Sequence, residues 1–193
     1  MEWLTIFYVL HIIGIALGVG GATVSDFLFL RSVRDRKISS DEFSLLSSIS
    51  KILWTGLALL IFSGTGMLAV QYFTTGSIAM SGMFLAKMTI VLVVFLNGLA
   101  FKKLVFPVLA AHTDRPLHQS VGFADKLWTL SIIGAISIVS WYSALLLGAL
   151  RTIELPYVFV MTFYVFLVSG GAIFGYLFLS HLIFTPRHKT KKE

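Results

Sequence analysis

Residues 3–30, WLTIFYVLHIIGIALGVGGATVSDFLFL, form an almost wholly apolar run with one histidine, His11, near its middle. A helix of this length can cross the hydrocarbon core of a bilayer, which is about 30 Å thick. Four further apolar stretches, each ended by charge, glycine or proline, follow at 51–73, 82–111, 124–150 and 156–184. The sequence therefore predicts an all-α, polytopic membrane bundle of about five transmembrane helices, a single domain over residues 1–193 with a basic tail at 185–193.

The composition supports the same class. Of the 193 residues, 57% are hydrophobic and 12% are charged, against about 25% charged residues in soluble domains, and the mean hydropathy is +0.90. The net charge of +6 comes from basic residues beside the apolar stretches, where they suit topology signals and anionic lipid headgroups. We therefore expect the lipid bilayer, and no nucleic acid, as a partner. The lack of cysteine excludes disulfides, thiolate metal sites and iron–sulfur clusters.

The positions of the basic residues predict how the chain is oriented. They follow the first stretch, flank the connection between the third and fourth, and fill the tail: Arg31, Arg34, Arg36, Lys37, Lys102, Lys103, Arg115, Arg187, Lys189, Lys191 and Lys192. The positive-inside rule then places the N-terminus outside and the C-terminus in the cytoplasm of a multi-pass cell-membrane protein. In the first loop, the Ser-x-x-Glu spacing of Ser39 and Glu42 is a capping-box signature. We expect the second helix to begin there, before it enters the membrane.

Polar and small residues share one face of the first helix. At 100° per residue, His11, Gly18 and Asp26 fall within the same stripe, which has to face the bundle because lipid cannot satisfy polar groups. Ionisable groups inside membrane spans are functional candidates. His11 is expected about 12 Å below the outer end of the helix, and Asp26 about 22 Å further in. Asp26 is therefore predicted to be either a rim carboxylate that pairs with Arg31 or Lys51 or a catalytic acid.

Lys87 is expected about 9 Å below the outer end of the third helix, in nearly the same layer as His11. It is either an interfacial anchor that extends its ammonium group outward or a cation that pairs with an anionic ligand beside the histidine. The other histidines, His112, His118, His181 and His188, fall at or beyond the cytoplasmic ends. The sequence therefore offers no second histidine near His11, so haem iron bound there would need a methionine or an open sixth position.

Soft and aromatic side chains are predicted in the same outer layer. Met80 and Met83 are expected to share one face of the third helix with Lys87, and with His11 they form a candidate site for copper(I). Trp141 and Tyr164 are expected at the depth of His11, where they could wall a flat aromatic ligand. The alternatives are ordinary core packing for the methionines and a membrane-interface belt for the aromatic residues. Deeper in the third helix, Asn97 is expected to form a hydrogen bond between helices.

Two segments resemble a known group of proteins. Residues 3–14, WLTIFYVLHIIG, and 82–91, GMFLAKMTIV, are similar to the first and third helices of the HemJ-type protoporphyrinogen oxidases and CopD-like proteins, which are small bacterial integral membrane proteins. The resemblance implies a protein of the bacterial cytoplasmic membrane that binds haem b and oxidises protoporphyrinogen. It also implies that His11 is the haem-associated histidine and Lys87 the functional cation. The chain differs from the group at Asn97, where a histidine is expected, and in its fifth helix.

Three classes of function are left open by the sequence. The first is a haem b redox protein, a membrane oxidoreductase in which His11, Lys87 and the two aromatic residues bind the cofactor and Lys87 and Asp26 are catalytic. This class also predicts an electron-transfer partner or a homo-oligomer. The second is a copper or small-solute permease that uses His11 and the two methionines. The third is a non-catalytic membrane subunit that packs through small residues such as Gly14 and Gly18.

Overall fold

Five long helices make up the fold of the computed structural model, which describes residues 2–117, 123, 125–150 and 153–184. They are α1 (Glu2–Asp35), α2 (Ser40–Thr75), α3 (Gly82–Ala111), α4 (Leu127–Ala149) and α5 (Tyr157–Phe184). Each is long and apolar enough to cross a membrane. The predicted all-α class is confirmed, and the five helices have the length and composition that the predicted multi-pass membrane protein requires. Residue 124, where the fourth span was predicted to begin, and the tail at 185–193 lie outside the described residues.

The first two helices are longer than their predicted spans. With 34 and 36 residues, they extend about 51 and 54 Å at 1.5 Å per residue, well beyond a bilayer core of about 30 Å. The side chain of Ser39 accepts a hydrogen bond from the Glu42 amide at 3.2 Å, and the Glu42 carboxylate accepts one from the Ser39 amide at 3.0 Å. This capping box confirms the predicted start of α2 at the turn after α1.

Glycines allow α1 to approach two neighbouring helices closely. A Cβ atom added at Gly14 would lie 3.0 Å from the carbonyl oxygen of Gly56 on α2, so the two backbones are in contact. One added at Gly18 would lie 2.0 Å from the indole ring of Trp141 on α4. Close backbone approach through small residues is a common basis of helix association in lipid. The small residues of the α1 stripe therefore fix how α1 sits against α2 and α4.

Helix α4 holds the bundle together, because it packs against α1, α3 and α5. We call the end at which α1 begins the N-terminal end of the bundle and the opposite end the C-terminal end. The predicted interhelical hydrogen bond of Asn97 is confirmed, since its Nδ2 donates to the Ile133 carbonyl of α4 at 3.1 Å. Farther along α3, a π-helical segment, Phe101–Val105, precedes Pro107. Proline lacks the amide proton that would continue the regular ladder, which accounts for a wide turn at this place.

A junction at the C-terminal end joins two connections, residues 36–40 between α1 and α2 and residues 112–117 after α3. The Asp114 amide donates to the Ile38 carbonyl at 2.7 Å, and Lys37 Nζ lies 3.2 Å from Asp114 Oδ1. Ser40 donates its hydroxyl to the same carboxylate. These two side-chain hydrogen bonds, from Ser40 and then from Lys37, hold the pKa of Asp114 below its ordinary value. The junction therefore ties the first helix pair to the end of α3.

Candidate functional site

His11 is held against α2 by a hydrogen bond in which its Nδ1 lies 2.9 Å from Ser63 Oγ. The Ser63 hydroxyl donates its single proton to the Leu59 carbonyl at 2.6 Å, so it has only lone pairs to offer the imidazole. The neutral ring must then carry its proton on Nδ1. This assignment follows from the hydrogen-bond network, and it leaves Nε2 with a free lone pair. His11 is half-buried and Ser63 is fully buried.

Lys87 lies in the same layer as His11 and Ser63, and the three together are called the polar layer below. Below this layer, α1, α2, α3 and α4 form one packed apolar cluster that includes Ile15, Leu60 and Val91. His11, Ser63 and Lys87 each lie three or four residues along their own helix from one of these three residues, in that order. Residues at this spacing lie on the same face of a helix. The polar layer therefore continues that cluster toward the N-terminal end. Lys87 is half-buried there, close enough for its ammonium group to act electrostatically on the imidazole.

The two predicted methionine ligands lie in different environments, one exposed and one buried. Helix α3 begins at Gly82, with Ser81 as its N-cap, so Met80 precedes the helix and is 67% exposed. Met83 is buried against α4 and α5. The expectation that Met80 and Met83 share one helical face with Lys87 is wrong, because the helix starts later than the pattern required. The structure does not gather these thioethers around the imidazole.

The two predicted aromatic walls lie in different clusters. Trp141 is 3% exposed and belongs to the cluster beneath the polar layer, with its ring against Gly18. The Tyr164 hydroxyl lies 2.8 Å from Ser140 Oγ in a separate contact between α4 and α5. Trp141 thus closes the polar layer from the bundle centre, whereas Tyr164 packs with Met83 on the side of α3, α4 and α5.

No group of three or more histidine, aspartate and glutamate side chains that could hold a metal ion occurs within the described parts of the chain. His112 and His181 lie at the C-terminal end of the bundle, near the ends of α3 and α5, where residue counting placed them. His118 and His188 are outside the described residues. A metal bound at the polar layer would therefore have one histidine ligand from the described residues.

Asp26 lies on α1, toward the C-terminal end, where it lines two cavities. The smaller, of about 80 Å³, is also lined by Asn97, Ser50 and Ser137. The larger, of about 580 Å³, lies among α1, α3, α4 and α5. The pairing of Asp26 with Arg31 or Lys51 is not found, since the ion pair formed by the described residues joins Lys37 and Asp114. Asp26 is therefore separate from both the polar layer and the junction.

Two site residues were missed by sequence reasoning. Ser63, the partner of His11, is one of the few hydroxyls in the apolar middle of α2, and its depth was a usable signal. Ser131 lines the larger cavity, and its buried hydroxyl has no hydrogen-bond partner. Serines that bond their own helix backbone are common in this bundle. No sequence signal distinguishes Ser131 from them.

Comparison with known proteins gives no assignment: the chain matches no family model, no curated protein and no solved structure. The similarity of residues 3–14 and 82–91 to the HemJ-type and CopD-like group therefore stays a prediction. The function has to be argued from the chemistry of the polar layer.

Proposed function

We propose that this protein is a membrane redox protein that binds haem b at the polar layer, where His11 Nε2 would hold the iron and Lys87 would pair with a propionate. The observation that carries the proposal is the hydrogen bond from His11 Nδ1 to Ser63. Metal-binding histidines usually donate their second ring N–H to a protein acceptor, which fixes the ring and makes the ligating nitrogen more basic. His11 has this arrangement, with Ser63 as the acceptor.

The residues of the polar layer fit the chemical needs of haem b. The macrocycle needs a nitrogen ligand for its iron and cations for its propionates, and the layer offers an imidazole and an ammonium group from neighbouring helices. Trp141 supplies an apolar aromatic surface on the inner side. Bound haem would supply a one-electron iron couple. The protein's own part is to orient His11 through Ser63, to balance charge through Lys87 and to exclude water.

The copper alternative receives less support from the described residues. A soft-ion site needs several thioether or imidazole ligands in one place, whereas Met80 is exposed and Met83 is buried against α4 and α5. Asp26 lies 15 residues from His11 on α1, about 22 Å along the helix, and we assign it to a separate site. Lys87 is the polar residue that we propose to act beside the cofactor.

The test is an absorption spectrum of the detergent-purified protein, oxidised and dithionite-reduced, after expression with ample haem. We expect a Soret band that is lost in His11→Ala and kept in His112→Ala, a matched histidine at the C-terminal end whose Nδ1 bonds the Val108 carbonyl. A wild-type protein without a Soret band would overturn the proposal. Stoichiometric copper in those samples, measured by elemental analysis, would favour the permease instead.

A further inference from the structure

The proposed function leaves unused a cavity of about 580 Å³ toward the C-terminal end. Its size falls in the range of about 300–1,000 Å³ that is typical of small-molecule sites. Two phenylalanines that line it, Phe27 on α1 and Phe174 on α5, are 67% and 69% exposed. In a membrane, these exposed rings on α1 and α5 would contact lipid at the opening of the cavity. The cavity can therefore be entered from the bilayer.

Two polar groups inside this cavity lack partners. Ser131 is 5% exposed, and its hydroxyl is buried with no hydrogen-bond partner in the described structure. Asp26 lines the same cavity and takes part in no ion pair of the described residues. Buried polar groups are normally hydrogen-bonded, so an orphaned hydroxyl calls for an explanation. A hydroxyl group on a ligand has the chemistry that both residues need, because it can donate to a carboxylate and accept from a serine.

The cavity walls favour a flat ring. A Cβ atom added at Gly134 on α4 would meet no atom within 4 Å, so space is open beside this residue, whereas Gly171 and Gly175 on α5 face Ala135 and Ser131 of α4. Phenylalanine rings, including Phe101 of the π-helical segment, line other parts of the cavity. Aromatic rings stack well on such surfaces. The lining therefore combines an apolar space for a ring with one hydrogen-bond donor, Ser131, and one acceptor, Asp26.

We propose that this cavity binds a lipophilic phenol, which enters from the bilayer. Its ring lies between Gly134 and the phenylalanines, its hydroxyl donates to Asp26, and the same oxygen accepts from Ser131. The site is about 22 Å along α1 from His11 and does not depend on haem binding at the polar layer. A failure of the haem test would leave this proposal unaffected. Likewise, a failure of the phenol test would leave the haem proposal unaffected.

The experiment compares 4-decylphenol with 4-decylanisole, which has the same tail and ring but no hydroxyl proton. Thermal unfolding of the detergent-purified full-length protein is followed at rising concentrations of each probe, since a ligand that binds the folded state raises the midpoint. We expect the phenol to act at about tenfold lower concentration than the anisole, as suits the gain of one buried hydrogen bond. Equal action of the two probes, or no shift with either, would overturn the proposal.

Variants assign the effect to the cavity. Asp26→Leu and Ser131→Ala are expected to remove most of the preference for the phenol, whereas Asp35→Leu, at the exposed end of the same helix, is expected to keep it. Gly134→Leu fills the cavity and is expected to abolish the shifts by both probes. A phenol preference that survives both Asp26→Leu and Ser131→Ala would contradict the site. The Soret band of these variants, read in parallel, separates this result from the haem proposal.

Discussion

Ser63 determines which ring nitrogen of His11 can bind a ligand, because its hydroxyl accepts from Nδ1 while it donates to the Leu59 carbonyl. Loss of such a supporting contact weakens metal binding by about 10- to 100-fold in known sites. We therefore expect Ser63→Ala to lower haem affinity by at least about tenfold, measured by Soret titration of the apoprotein. Ser48→Ala, on the same helix with a hydroxyl that donates to the Ser44 carbonyl, is the control. Equal affinities of the two variants would rule out this role for Ser63.

Gly18 is the residue at which α1 and α4 meet most closely. A methyl group there would overlap the ring of Trp141, at 2.0 Å from its nearest atom, whereas one at Gly20 meets no atom within 4 Å. Overpacking of a buried contact typically costs about 1–3 kcal/mol. We expect Gly18→Ala to lower the free energy of unfolding by this amount and Gly20→Ala not to lower it, measured by denaturation in detergent. A stable Gly18→Ala variant would show that Trp141 can move without cost.

At the scale of elements, the junction between residues 36–40 and 112–117 gives the fold a dependence on acid pH. The folded state lowers the pKa of Asp114 through its hydrogen bonds to Ser40 and Lys37. Its contribution to stability is therefore complete above the unfolded-state value of about 3.9 and is lost as the pH falls through the lower folded-state value. We expect the unfolding midpoint of the wild type to approach that of Asp114→Asn below about pH 4. Asparagine tolerates the left-handed backbone at this position, where φ is 61°. A gap between the two proteins that stays constant with pH would contradict the assignment.

Local chemistry decides how far each element can be predicted from sequence. The start of α2 was predictable, because Ser39 and Glu42 satisfy each other's backbone amides within one turn. The start of α3 at residue 82 was predicted too, and Ser81 caps the helix there, but placing Met80 on a face of this helix was wrong because Met80 precedes it. The π-helical segment Phe101–Val105 was missed as well, since a wide turn depends on how α3 packs and not only on Pro107. The apolar pattern predicts which residues are helical. It does not predict where the backbone hydrogen bonds change from the α-helical to the π-helical spacing.

For the whole molecule, the sequence predicts depth but not neighbours. Residue counting placed His11 and Lys87 in one layer, and each lies one turn from a residue of the same four-helix cluster, with His11 hydrogen-bonded to Ser63. The same counting placed Trp141 and Tyr164 at that depth, yet they occupy different clusters. The order of helices around a bundle depends on contacts such as Gly14 against Gly56, which a single sequence does not encode in any local pattern. The two cavities are equally invisible to it, because each is bounded by side chains from several helices.

The orientation of the bundle in the membrane is a prediction from charge, and it can be tested directly because the chain has no cysteine. Ser77 is exposed in the connection from α2 to α3, at the N-terminal end, and Asp41 is exposed near the start of α2, at the C-terminal end. Basic residues cluster at the C-terminal end, which the positive-inside rule places in the cytoplasm. We expect Ser77→Cys to react with a membrane-impermeant maleimide in intact bacterial cells and Asp41→Cys to react only after permeabilisation. The opposite pattern would invert the bundle and place the polar layer on the cytoplasmic side. Because the polar layer lies near the N-terminal end, the expected result would also mean that haem bound to His11 faces the outer leaflet.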